Sequence, residues 1–151
     1  MRNTLGIFCI SLVVVGIQSC CPESLSSKKG IANPVSRVKF EQSDAVKCLM
    51  EAVEVGGATG PSTLILKASP NCDVPWHYHQ AVEQLIVING PVLAEMDGME
   101  AEILEAGGFA MMPSRRVHQF TCHSPRECSI IVSFDRTYDV HWCQDSKKCK
   151  P

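Results

Sequence analysis

The stretch Trp76-His77-Tyr78-His79-Gln80-Ala81-Val82-Glu83-Gln84-Leu85-Ile86-Val87-Ile88-Asn89-Gly90 sets two histidines two residues apart, a carboxylate four residues later, and then an aliphatic, β-branched run. Side chains alternate along a strand with period 2, so His77 and His79 project from one face and can hold one ion together. Glu83 adds an anionic ligand, and His118, beyond the Pro113-Ser114 turn, supplies a third imidazole. Imidazoles with one carboxylate suit Zn, Fe, Ni, Cu or Mn, and four protein ligands leave room for water or a substrate. The pattern predicts an open metal site in a β-rich chain, as metal catalysis requires.

Outward from this stretch, short apolar runs predict strands at residues 63–68, 83–88, 92–96, 101–104, 109–112, 117–122 and 129–134. They are broken at Gly56-Gly57, Ser69-Pro70-Asn71, Asn89-Gly90-Pro91, Gly107-Gly108 and Ser124-Pro125, residues that favour turns. Asp97-Gly98 signals a two-residue hairpin between 92–96 and 99–104. No helical period appears downstream of residue 45, and no internal repeat. Many short antiparallel strands in one domain imply an all-β sandwich or barrel.

A chain of 151 residues, 45% of them hydrophobic, can bury one ordinary core. Its formal net charge of -2 includes no clustered basic face, so nothing directs it to nucleic acid. Arg115-Arg116 and Lys147-Lys148 read as solvated surface charges. The N-terminus is more informative. Met1-Arg2-Asn3-Thr4 precedes an uncharged, mostly apolar run over residues 5–17, too short to span a bilayer comfortably but suited to a signal-peptide core. Ile17-Gln18-Ser19-Cys20 resembles the lipobox of bacterial lipoproteins, in which Cys20 would become the lipidated first residue, although Gln18 replaces the usual small residue. An ordinary secretory signal is the alternative. Both imply export, to a lipid-anchored or periplasmic position in the cell envelope. Loss of residues 1–19 removes Arg2 and leaves 13 basic against 16 acidic residues. Residues 20–37 read as a flexible spacer, 38–142 as the domain and 143–151 as a tail.

Nine cysteines agree with an oxidising compartment. Cys9 lies in the signal core, and with Cys20 and Cys21 set aside six remain, which allow 15 pairings. Cys122 and Cys128 flank a turn-like run and could clamp the ends of a hairpin, while Cys143 and Cys149 enclose a short polar loop. Cys48 and Cys72 are then the remaining pair. The absence of a C-x-x-C spacing weighs against zinc binding by these cysteines.

The residues resemble the cupin superfamily, whose first motif is His-x-His, a Glu four residues on and a Gly seven after that: here His77, His79, Glu83 and Gly90. Its second motif finds Gly107, Pro113 and His118 at the required intervals, with Arg115 where the family usually has Gly and Cys122 where it usually has Asn. The resemblance covers about residues 38–142. It implies a single-domain jelly-roll β-barrel with one divalent metal, Fe, Mn, Zn or Ni, held inside by His77, His79, Glu83 and His118. Phe120 shares strand parity with His118 and is a candidate for the cavity lining as well as for the core. His123 and His141 read as surface or packing residues.

Cupins include oxygenases, isomerases, decarboxylases, lyases and non-catalytic binders, so membership selects no reaction. The expected function is a metal-dependent enzyme of dioxygenase or isomerase/lyase type acting on a small oxygenated molecule, with no separate acid or base identified. The alternative is a non-catalytic small-ligand binding or sensing protein of the envelope, similar to the zinc-binding cupin domains of some anti-sigma factors. A disulfide-stabilised envelope protein with a vestigial site is a third reading. Edge-strand pairing makes a homodimer a further expectation.

Overall fold

A computed structural model describes residues 32–55 and 60–151. The predicted signal segment 1–19, the lipidation candidate Cys20 and most of the spacer lie outside the described residues, as does the Gly56-Gly57 break.

The described chain is almost entirely β. After a 3₁₀ turn at Val35–Arg37 come β1 (Glu41–Gln42), β2 (Leu49–Val55), β3 (Ser62–Ala68), β4 (Asp73–Tyr78), β5 (Glu83–Asn89) and β6 (Val92–Met96). Then follow β7 (Glu102–Leu104), β8 (Phe109–Met112), β9 (His118–Cys122), β10 (Cys128–Phe134), β11 (His141–Trp142) and a 3₁₀ turn at Ser146–Lys148. The strands form a six-stranded sheet ordered β1-β2-β3-β10-β5-β8 and a five-stranded sheet ordered β11-β4-β9-β6-β7, with antiparallel pairing throughout. This is the expected all-β jelly roll.

Alternation decides what lies inside. Along β3 the buried positions are Ser62, Leu64, Leu66 and Ala68, and along β10 Cys128, Ile130, Val132 and Phe134. Their β5 counterparts are Glu83, Leu85 and Val87, and those of β9 are His118, Phe120 and Cys122. Each fully buried aliphatic side chain stabilises the fold by about 1.5–3 kcal/mol. The same parity that builds the core turns Glu83 and His118 inward, at the ends of otherwise apolar inner rows.

Two local expectations change. Asp97 and Gly98 are the central residues of a turn closed by the Met99 N–H donating to the Met96 carbonyl at 3.0 Å. The β6–β7 register, with Val92 opposite Leu104 and Ala94 opposite Glu102, is nevertheless centred on Gly98, so the whole loop holds an odd number of residues rather than two. Gly98, at φ 76°, supplies the left-handed conformation that such a loop needs. Cys122 and Cys128 do bond, but not across a hairpin: β9 and β10 belong to different sheets, and the bridge closes the corner where the chain crosses between them. Cys48 is bonded to Cys72 and Cys143 to Cys149.

Candidate metal centre

His77 lies near the end of β4, directly opposite His118 at the start of β9. His79 follows one residue beyond β4, and Glu83 opens β5 after the intervening turn. Backbone bonds hold this turn: the Arg115 N–H donates to the His79 carbonyl at 2.7 Å, and the Val82 N–H to the Asp135 carboxylate at 2.9 Å. Arg115 sits at φ 65°, which explains the glycine usual at this position in the second motif. This chain keeps the left-handed turn with a side chain that tolerates it less well.

All four residues are buried, and one potential ligand atom from each lies within 4.8 Å of the others. The three imidazoles are oriented from behind by main-chain carbonyls. His77 Nδ1–H donates to Pro75 at 2.6 Å, His118 Nδ1–H to Arg116 at 2.8 Å, and His79 Nδ1–H to the carbonyl of Asp139. Committing Nδ1 as the donor leaves Nε2 as the free lone pair in the neutral ring, the arrangement that metal-binding histidines adopt. His79 Nε2 and His118 Nε2 stand 3.0 and 3.1 Å from Glu83 Oε2. Yet Glu83 Oε2 and His118 Nε2 are buried without a well-formed hydrogen bond. Lone pairs converging on a dry point are costly unless a cation sits among them, and three imidazoles with a carboxylate fit a divalent transition ion.

The electrostatics agree. Burial, reinforced by the neighbouring His118 and His79, lowers His77 to about 3, so it is neutral and able to coordinate. Burial also opposes charge on Glu83, but contacts with His118 and His79 outweigh it and hold the carboxyl well below the usual carboxylate range. For His79, burial lowers the value, while Glu83 and the Asp139 carbonyl and carboxylate raise it above 6.5 overall.

A cavity of about 30 Å³ adjoins His77, His79 and Glu83, room for one or two waters. Phe120 lines it and is also core, 4% exposed. Other lining groups were not anticipated from sequence: Glu51 on β2, Tyr138, and Trp142 on β11. Trp142 is opposite His77 in the β11–β4 pairing, with ring centroids 5.1 Å apart, and remains 42% exposed. Burial, followed by the charges of Glu51, Glu83 and Asp139, pushes the Tyr138 phenol up, so it stays protonated and can donate. Asp139 fastens the C-terminal segment to the metal loop, because its carboxylate accepts from the Gln80 N–H at 3.1 and 3.2 Å and contacts His141 Nε2 at 2.7 Å. The available sequence signal was the cluster Tyr138-Asp139-Val140-His141-Trp142, too polar and aromatic for an idle tail. His141 is exposed, stacked on Tyr78, and His123 is exposed in the β9–β10 turn.

Comparison with known proteins agrees with this architecture. A family model described as a cupin domain matches residues 65–134. No match is found among curated proteins. Among solved structures the chain is similar to DMSP lyases (18% identity, TM-score 0.61, covering 71% of this chain), and it spans 63% of that chain's length. It is similar to an RmlC-like cupin from Shewanella frigidimarina (17% identity, TM-score 0.62, 74% of this chain and 95% of that one). It is also similar to the polyketide cyclase RemF from Streptomyces resistomycificus (19% identity, TM-score 0.65, 78% and 90%). With two motifs in register, two antiparallel sheets and a buried three-histidine, one-glutamate cluster between them, residues 65–134 of the chain are a cupin domain.

Proposed function

We propose that this chain is a metal-dependent cupin acting on a small oxygenated molecule, an enzyme of lyase, isomerase, cyclase or oxygenase type. The observation that carries the reading is the buried ligand set with its orphaned Glu83 Oε2 and His118 Nε2, beside a cavity that holds a protonated phenol. His77, His79, Glu83 and His118 would hold the ion, which when bound supplies Lewis acidity toward a carbonyl or carboxylate oxygen, or an activated water. The protein's own contribution is to fix the imidazoles through their carbonyl partners, exclude bulk water, and present the Tyr138 hydroxyl. DMSP lyases and a polyketide cyclase among similar structures support small-molecule chemistry on this fold.

The narrowness of the cavity under Trp142 favours a second reading, a non-catalytic small-ligand binding or sensing protein. For localisation we infer export, with Cys20 the lipidation site or residues 1–19 an ordinary signal. Three disulfides among the described residues support it. A homodimer through the free edge of β8 is supported by its uncharged sequence Phe109-Ala110-Met111-Met112 and by exposed Ile86, Ile88, Phe109 and Met111.

The deciding experiment is elemental analysis of the protein exported to an oxidising compartment, beside His77→Ala/His79→Ala. About one equivalent of iron, manganese or nickel, lost in the variant, supports an enzyme. One equivalent of zinc leaves hydrolytic, isomerase and sensing roles open. No metal after reconstitution sinks the metal-dependent function.

A further inference from the structure

Glu51 is out of place by the rules that shape the rest of the barrel. On β2 it shares parity with Leu49 and pairs with Leu66, so it faces inward among apolar side chains. It is only partly exposed, and among the described residues it makes no hydrogen bond or ion pair. Its carboxylate lines the cavity beside Leu49, Leu64 and Leu66, and among the described residues no protein group there engages it, so it is open to a donor that enters the cavity. Tyr138 faces the same space, and no protein acceptor takes its hydroxyl hydrogen among the described residues. The cavity therefore presents three groups that a ligand can engage: the metal-ligand cluster with its orphaned Glu83 Oε2 and His118 Nε2, an acceptor and a donor.

We propose that Glu51 and Tyr138 are ligand-contacting residues of the metal cavity, and that the molecule they select is a small hydroxycarboxylate. This rests on the metal-dependent reading above. The ligand's carboxylate would meet the ion held by His77, His79, Glu83 and His118, while its hydroxyl donates to Glu51 and Tyr138 donates to a ligand oxygen. A hydroxyl suits Glu51 better than an ammonium group, because stripping water from a second charge in this apolar wall costs far more than stripping it from a neutral donor. Entry is past Trp142, which is 42% exposed and also borders the outer groove that carries Lys148 and Lys150.

Cobalt(II) bound to the whole protein gives a visible absorption band with which to test this, using glycolate and acetate as probes that differ by one hydroxyl. Glycolate should bind more tightly than acetate to the wild type. In Glu51→Leu, which suits the apolar wall, cobalt uptake should remain one equivalent and acetate affinity should hold or rise. The preference for glycolate should fall by about tenfold or more, the loss expected when a charge-assisted hydrogen bond is removed. Tyr138→Phe should weaken both probes by a similar factor. An unchanged glycolate-to-acetate ratio in Glu51→Leu, with cobalt still bound, overturns the proposal and leaves the metal site standing. Failure of the wild type to take up cobalt overturns both.

Discussion

At the scale of single residues the metal cluster is a set of opposed titrations, and their signs predict how it answers acid. The folded value of His77 is lowered to about 3, so as pH falls below 6.5 the unfolded chain takes the proton first and stability is lost. His79 works the other way: its folded value is raised, so its contribution is complete below 6.5 and is lost as pH rises through the raised value. Glu83, held low, adds stability above 4.5 that is lost as pH falls through its depressed value. Between about pH 5.5 and about pH 4, where the His79 contribution is already complete, His77 alone removes about 2 kcal/mol, so the Tm of metal-free protein should fall by about 8 °C. Thermal melts across that range check it, and a flat profile would show that His77 is not buried neutral. Glu83→Gln should weaken metal binding by about 100-fold or more, read by chelator competition, since even the outer partners of metal ligands are worth 10–100-fold. The four ligand candidates were legible because strand parity and a turn suffice to bring them together. Their orienting carbonyls, at Pro75, Arg116 and Asp139, were not, because a backbone oxygen has no signature in sequence. Glu51 and Tyr138 escaped for another reason: they reach the cavity from β2 and from beyond β10, and only long-range pairing gathers them there.

At the scale of elements, turns do the positioning. Arg115 at φ 65° and Gly107 at φ 88° both adopt left-handed backbone in the approach to His118. Only the arginine is strained by doing so. Arg115→Gly keeps the N–H that donates to His79 and should leave stability unchanged or raise it by about 1 kcal/mol, whereas β-branched Arg115→Val should lower it by about 1–2 kcal/mol. Urea midpoints for the two variants check the pair, and equal midpoints would mean that backbone strain is not what the position feels. Gly90 is confined instead by space, since a Cβ there would lie 2.9 Å from Val87 Cγ1 and 3.1 Å from the Val92 nitrogen. The strands predicted at 63–68, 92–96 and 109–112 match β3, β6 and β8, because apolar runs between turn residues are a local signal. β2 was not among the predicted strands, and β4 was anticipated only around His77 and His79. β2 carries two glutamates in its run, and β4 carries Pro75 and two histidine-flanking aromatics, which blur the alternation. Which sheet a strand joins is not local information at all. That is why the Cys122–Cys128 segment reads as a hairpin in sequence and proves to be a corner between sheets.

At the scale of the whole molecule, the disulfides divide stability from function. Cys48–Cys72 ties the approach to β2 in one sheet to the approach to β4 in the other, and Cys122–Cys128 spans the β9–β10 crossing. The two bridges are neighbours, because the Cys122 N–H donates to the Cys72 carbonyl at 2.9 Å. Both therefore sit at the ends of β4 and β9 away from His77 and His118. Cys143–Cys149 is at the opposite, metal-bearing end, where the Cys143 N–H donates to Trp76 and β11 lays Trp142 beside His77. A sequence separation of 24 makes Cys48–Cys72 worth about 3.5 kcal/mol through loop closure, against about 2.5 kcal/mol for the separation of 6 in Cys122–Cys128. Cys48→Ala/Cys72→Ala should accordingly lower Tm the most while leaving metal affinity within about threefold, since it lies away from the ligands. Cys143→Ala/Cys149→Ala, with a separation of 6 like Cys122–Cys128, should lower Tm less than the loss of Cys48–Cys72 but speed metal exchange, because it frees the segment that carries Trp142 over the site. Melting curves and metal off-rates measured on the two double variants separate these effects. If both variants lost stability and metal retention in parallel, the barrel would be behaving as one cooperative unit, and the C-terminal strap could not be treated as a separate cover of the metal centre.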